Sequence, residues 1–344
     1  MIAVGQGTNT IGYSPDGITW NGLGKTIFST YGNGVAWNGI RWVAVGQGAN
    51  TLAYSSDGIN WTGLGITIFS VSGRGIAWNG IRWVAVGEGT NEIAYSSDGI
   101  IWTGVTGPSA SLFTIGSGVA WNGTRWVAVG TGANEIIYSS DGITWTEVTG
   151  ASASLFTTGY GVAWSGTRWV AVGSGANEIV YSLDGITWTE VTGASASLFT
   201  TGYGVAWNGT RCVAVGTGTN EIVYSSDGIT WTAVSGSSAS LFTTGRSVAW
   251  NGIRWVAVGE GTNEIAYSTD GITWFPVSEP AASIFTIGYG VAGNPEIGAV
   301  VVDSSIALTS GTYIQSNKLD IVGSDYYDSG YNNLLLSIVR RKLT

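Results

Sequence analysis

From Gly118 to Val148 the chain alternates short apolar runs with glycine- and asparagine-rich breaks. Gly118–Trp121 is followed by Asn122-Gly123. Arg125–Gly130 is followed by a Gly-x-Gly-x-Asn link, and Glu135–Ser139 by Ser-Asp-Gly. Ile143–Val148 closes the unit. No 3.6-residue period runs through it, and each run has strand length, so the pattern predicts four β-strands, a to d. Asn122-Gly123 predicts a two-residue hairpin between strands a and b, because both turn positions can take positive φ. The strands are apolar on both faces, with small Ala and Gly interleaved. Such sheets fit between neighbouring sheets, where neither face meets water.

The same unit returns along the chain, marked by Ser-x-Asp-Gly-x-x-Trp. Its aspartates are Asp16, Asp57, Asp98, Asp141, Asp184, Asp227 and Asp270, spaced 41 or 43 residues apart. A period in the low forties without helix signals predicts propeller blades. Seven copies predict an all-β, seven-bladed β-propeller over residues 1–294. Length varies only in the connection from strand d to the next strand a: "TGLGITIFSVSG" is a short form and "TEVTGASASLFTTG" a long one. The chain enters the repeat at strand b, since Met1–Gly5 aligns with Trp42–Gly46. The missing strand a stands at Gly290–Gly293, so that segment is expected to complete the first blade and close the ring, removing exposed sheet edges.

This Ser-x-Asp-Gly-x-x-Trp turn resembles the Asp-box of sialidase-like and related β-propellers, although it is one residue shorter than the usual Ser-x-Asp-x-Gly-x-x-Trp. The resemblance covers residues 1 to about 294. It implies a propeller whose seven aspartates are structural turn residues. The wording "AVGxGxNxIxYSSDGxxW" also resembles propeller repeats encoded by large DNA viruses, which implies a virion or another exposed surface as the setting.

Composition narrows the chemistry. Histidine is absent and Cys212 is the only cysteine, which removes the commonest general base and metal ligand and excludes an intrachain disulfide. No cofactor or metal site is expected. The net charge of -9 without a basic stripe argues against nucleic acid. No apolar run approaches ~18 residues, so no membrane span is expected. The N-terminus shows no basic n-region and no long apolar h-region, so no signal peptide is legible.

The recurring residues fall into classes. All eighteen Trp belong to the repeat: seven in the Asp turn, six at the end of strand a, five at the start of strand b, with Cys212 in the sixth such place. They are expected to pack between blades, with sugar stacking as the functional alternative on exposed members. Phe28, Phe69, Phe113, Phe156, Phe199, Phe242 and Phe285 are expected to plug the d-to-a connections into the core. Arg41, Arg82, Arg125, Arg168, Arg211 and Arg254 open strand b. They are expected to pair with the aspartate of their own blade, Arg41 with Asp57 and Arg82 with Asp98. That spread is unlike the converging arginines of a sialidase.

The candidate binding residues follow the Gly-x-Gly link: Asn91-Glu92, Asn134-Glu135, Asn177-Glu178, Asn220-Glu221 and Asn263-Glu264, with Asn9-Thr10 and Asn50-Thr51 in the remaining blades. Capping of the link by Asn is the structural alternative. No catalytic residues are assigned. Lys25, Arg74, Glu147, Glu190, Arg246 and Glu279 break the pattern but are read as scattered over several loops. Residues 295–344 leave the repeat, with strand-like pieces at Ala299–Val302, Leu319–Val322 and Leu334–Val339. They are read as a β appendage or an arm for an assembly partner. The sequence therefore predicts a non-enzymatic binding module for glycan or protein partners through repeated sites on its loop face. A purely structural component attached through the tail is the alternative, and a sialidase-like hydrolase a distant third.

Overall fold

The computed structural model describes residues 1–277 and 284–294. Seven four-stranded antiparallel sheets, each with strand order a-b-c-d, form the seven blades of a propeller. The chain divides into Met1–Glu296 and Ile297–Thr344. The proposed tail strands and Glu279 lie outside the described residues.

Blade 4 shows how the sequence becomes a blade. Strand a is Ile115–Trp121, strand b Trp126–Thr131, strand c Ile136–Ser139 and strand d Thr146–Glu147. Strand a is longer than the apolar run suggested, because it continues back through Gly116 and Ser117. Strand d is far shorter than Ile143–Val148. Ile143 and Thr144 are taken up by the Asp turn, and only Ile137↔Glu147 and Tyr138↔Thr146 pair.

The a–b connection differs from the expected two-residue turn. Trp121 pairs with Trp126, so residues 122–125 form a four-residue loop. Within this loop only Gly123 has positive φ, and among the described residues no non-glycine residue does. Asn122 instead closes the loop through its side chain, whose Oδ1 accepts the N–H groups of Thr124 at 2.9 Å and Arg125 at 2.7 Å. The Asn-Gly signal was real, but an Asx turn supplies the geometry rather than two left-handed residues.

Ring closure follows the expectation. Ile287–Ala292 is strand a of blade 1 and pairs with Ile2–Gln6, with Ala3 opposite Val291 and Val4 opposite Gly290. The joint is covalently open and closed only by the ladder and by packing.

The core lies between blades. Valines of strand b, such as Val127 and Val129, point into the cluster formed with the next blade's Trp169, Ala171 and Val180. The strand-b tryptophans Trp83, Trp126, Trp169 and Trp255 are fully buried. Burying each stabilises by several kcal/mol, at roughly 200 Å² and ~25 cal/mol/Å². The seven connection phenylalanines are buried as expected. The strand-a tryptophans are only partly buried, and all but Trp207 lean on a strand-b ring, as Trp121 does on Trp126 at 5.1 Å between centroids.

Strand a is innermost. A Cβ on Gly118 would meet the carbonyl oxygen of Tyr160, in the neighbouring blade, at 2.7 Å. Glycine at this position in six blades, with Ser247 in the seventh, lets the strands converge around the central axis.

Candidate functional site

The seven aspartates serve their own turns. Asp141 Oδ1 accepts the N–H groups of Ile143 and Thr144, both at 2.8 Å, and the hydroxyl of Ser139 at 3.0 Å. Ser139 Oγ accepts the Gly142 N–H at 2.8 Å. Partial desolvation works against the charged carboxylate, but these donors outweigh it and hold the Asp141 pKa below the ordinary value.

The strand-b arginines correct a sequence expectation. They do not pair with the carboxylate of their own blade. Arg41 donates to the backbone carbonyl of Asp98, Arg82 to that of Asp141, Arg125 to that of Asp184 and Arg211 to that of Asp270, each in the next blade. On the way each guanidinium covers a tyrosine of its own strand c, Arg125 lying 5.3 Å from the Tyr138 ring centroid. The own-blade carboxylate is already occupied by its turn, and the long side chain reaches over the blade boundary. These arginines clamp neighbouring blades together.

At the other end of the strands lies the face formed by the b–c links and d–a connections. The Asn candidates sit here, with amides committed internally. The Nδ2 groups of Asn91, Asn134, Asn177, Asn220 and Asn263 donate to the carbonyls of Ile68, Leu112, Leu155, Leu198 and Leu241, at 2.6 to 3.0 Å. Each holds a d–a connection against a link. The adjoining Glu92, Glu135, Glu178 and Glu221 are half-buried at the rim, and desolvation pushes their carboxyl pKa values up. Glu264 occupies the same place in blade 7.

Closer to the axis the structure brings together residues that the sequence left dispersed. Every strand a carries a β-bulge near its start. The extra residues, from blade 1 to blade 7, are Tyr289, Asn33, Arg74, Ser117, Tyr160, Tyr203 and Arg246. Bulges re-aim side chains. Here the repeat changes from blade to blade.

An arc of these side chains spans blades 5, 6, 7 and 1 and is extended into blade 2 by Tyr31, the first residue of that strand a. Tyr160 and Tyr203 lie 4.9 Å apart between centroids. The Arg246 guanidinium lies 4.5 Å from the Tyr203 centroid and 5.8 Å from that of Tyr289. Tyr289 in turn meets Tyr31 at 5.5 Å, and its hydroxyl donates to Gln6 Oε1 at 3.2 Å. Arg246 is paired with Glu260 at 2.8 Å and, across the axis, Arg74 with Glu88 at 3.0 Å. Burial pushes the Tyr289 phenol up, with Arg246 pulling the other way. The result is a mouth of the central channel lined by aromatic faces and two neutralised ion pairs.

The sequence reads Arg74 and Arg246 as scattered loop residues. They are instead strand residues at equivalent bulge positions, and Glu147 and Glu190 lie on strand d. Tyr160, Tyr203 and Tyr289 were missed, although they are legible as a column of the aligned repeats, Asn33 to Tyr289, that lacks a consensus. Among the described residues no group of three or more His, Cys, Asp or Glu could hold a metal ion.

No family model and no curated protein matches the chain. Solved structures do. Virginiamycin B lyase from Staphylococcus aureus superposes with a TM-score of 0.60 at 13% identity, over 73% of this chain and 85% of that one. A GH74 enzyme from Niastella koreensis gives 0.57 at 19% identity, over 76% of this chain and 40% of that one. A chain of the nidogen/laminin complex gives 0.53 at 12%, over 73% and 97%. These likenesses establish the seven-bladed propeller and nothing finer, since enzymes and binding proteins share it.

Proposed function

We propose that the propeller is a non-enzymatic binding module that engages a glycan or protein partner across the face bearing the channel mouth. One observation carries this reading. Around a ring of near-identical blades, side-chain identity departs from the repeat at the bulge positions, and four of these residues, Tyr160, Tyr203, Arg246 and Tyr289, converge with Tyr31 on a single arc. Repetition fixes the frame, and the arc supplies the asymmetry that recognition needs. The rim glutamates beside these asparagines, Glu92 through Glu264, add equivalent weak contacts, which gain by avidity on a partner that presents repeated groups. A virion or another exposed surface would be such a setting.

Catalysis finds less support. The lyase among the structural neighbours is described as catalytically inactive when one histidine is replaced by alanine, and this chain has no histidine. The strand-d carboxylates Glu147 and Glu190 sit in separate blades, whereas a retaining glycosidase needs two carboxyl groups about 5–5.5 Å apart.

The test is a comparison of wild type with Tyr203→Ala and Arg246→Ala on a glycan array and a surface-protein array, together with a fluorogenic glycoside panel. Loss of a binding signal in both variants, with thermal unfolding unchanged and no turnover by wild type, is the expected result. Turnover abolished by changing one carboxylate would overturn the binding-only reading.

A further inference from the structure

The short and long d–a connections build different surfaces. In the long form the connection contains a 3-10 turn: Gly107–Ser111, Gly150–Ser154, Gly193–Ser195 or Gly236–Ser240. A serine in each turn reaches the Asp-turn tryptophan of the next blade. The Trp145 N–H donates to Ser109 Oγ at 2.9 Å, and Ser109 Oγ donates to the Trp145 carbonyl at 3.3 Å. Ser152 serves Trp188, Ser195 serves Trp231 and Ser238 serves Trp274 in the same way. All four tryptophans are 2–4% exposed.

The connections leaving blades 1 and 2 are the short form, Leu23–Phe28 and Leu64–Phe69, with no such turn and no serine between Leu and Phe. Here Trp61 and Trp102 are only half-buried. The short form is a distinct, braced structure. Thr10 and Thr51 stand where the other blades have Glu, and their hydroxyls donate to the Phe28 and Phe69 carbonyls, both at 2.9 Å. Between the first short connection and Trp61 lies a cleft of about 220 Å³ lined by Ile11, Leu23, Thr26, Ile27, Asn60 and Trp61 among others. None of its lining residues is ionisable.

We propose that this cleft is a saccharide-binding site, distinct from the channel mouth, that stacks one neutral sugar ring on the Trp61 indole. Three properties select the class. A partly exposed indole on the cleft wall presents an apolar surface to the C–H face of a ring. The sister blades show that a hydroxyl group fits between the plug position and the tryptophan backbone, bonded to both N–H and C=O, and a sugar hydroxyl supplies the same group. The uncharged lining gives no partner to an anion or cation, whose burial would be costly. The volume lies below the ~300 Å³ at which drug-sized pockets begin, so it admits a single ring. The Trp102 position repeats the arrangement with Ile101 in place of Asn60, which removes one amide and makes it the weaker of two neighbouring sites.

Saturation-transfer NMR with a panel of neutral hexoses, N-acetylhexosamines and their disaccharides tests the proposal on the full chain. The comparison set is wild type, Trp61→Ala, Arg246→Ala, and a plugged variant in which Leu23–Thr30 is replaced by the sequence of Val148–Thr157. The expected result is millimolar binding of at least one sugar. It weakens at least tenfold in Trp61→Ala and in the plugged variant, and persists in Arg246→Ala. The plugged variant retains a whole repeat sequence, so it keeps the test valid if Trp61→Ala fails to fold. No binding by folded wild type, or binding unchanged by the plug, would overturn it. So would a response confined to apolar probes such as indole, which would mark the cleft as a seat for protein side chains. Loss in Arg246→Ala alone would assign the sugar to the channel mouth instead.

Discussion

Arg125 holds Asp184 by its backbone carbonyl, across a blade boundary. The acceptor is part of the main chain, and the Asp184 carboxylate is left to cap its own turn through the N–H groups of Ile186 and Thr187. The two residues thus form a joint in which each does a separate task. Replacing Arg125 by Ala is expected to cost about 1 kcal/mol, since the bond is charge-assisted but solvent-exposed. Asp184→Asn should leave the clamp intact. In urea unfolding, Arg125→Ala combined with Asp141→Asn, in its own blade, should be additive to within about 0.5 kcal/mol. A larger coupling there would restore the own-blade ion pair.

The pH dependence of stability has two opposed parts. The pKa values of Glu92, Glu135, Glu178 and Glu221 are raised by desolvation in the folded state. The folded protein therefore binds more protons than the unfolded chain near their titration, and stability rises as pH falls through that range. The turn aspartates go the other way. Asp16, Asp57, Asp98, Asp141, Asp184, Asp227 and Asp270 all have lowered values. Their contribution is present above the ordinary aspartate value and is lost as pH falls below it. Melting temperature is expected to pass through a maximum on the acid side of neutrality and drop steeply below about pH 4. A monotonic rise of melting temperature from pH 4 to 8 would contradict this balance.

Cys212 stands where five sister blades carry a buried tryptophan, and Trp207 lacks the ring partner that Trp121 finds in Trp126. Cys212→Trp is expected to raise stability by about 2 kcal/mol, because the backbone frame of that site already accepts the indole elsewhere in the molecule. Guanidinium unfolding measures it. A loss of stability would show that blade 6 has repacked around the smaller side chain. Burial pushes the Cys212 thiol up to about 12, so wild type should resist alkylation until it unfolds, which gives an independent probe of opening.

Closure rests on Ile287–Ala292 pairing with Ile2–Gln6. Deleting residues 288–294 should leave blade 1 without its inner strand and expose the inner edge of Ile2–Gln6. Aggregation or a large fall in melting temperature is the expected outcome, followed by calorimetry and light scattering. Val291→Asp, which buries a charge beside Ala3, should cost several kcal/mol without removing any backbone bond. Variants that unfold like the parent would refute closure by this strand.

The sequence by itself determined the architecture. Seven spaced aspartates set the blade number, and apolar runs flanked by glycine and asparagine set four strands to a blade. The match of Met1–Gly5 to a strand b, with Gly290–Gly293 as the spare strand a, set how the ring closes. These are local or repeated signals, and repetition lets one unit be read seven times. Tertiary structure decided what crosses blade boundaries. Which residue Arg125 reaches depends on the angle between adjacent sheets, and strand pairing within one blade could not supply that. The meeting of Tyr160, Tyr203, Arg246 and Tyr289 depends on a bulge that turns each extra residue toward the axis, joining positions 43 residues apart. The half-burial of Trp61 and Trp102 was encoded in the shorter connections. It becomes visible only once each connection is seen to lie over the next blade's tryptophan, because burial is a property of the neighbour that covers a side chain and not of the residue itself.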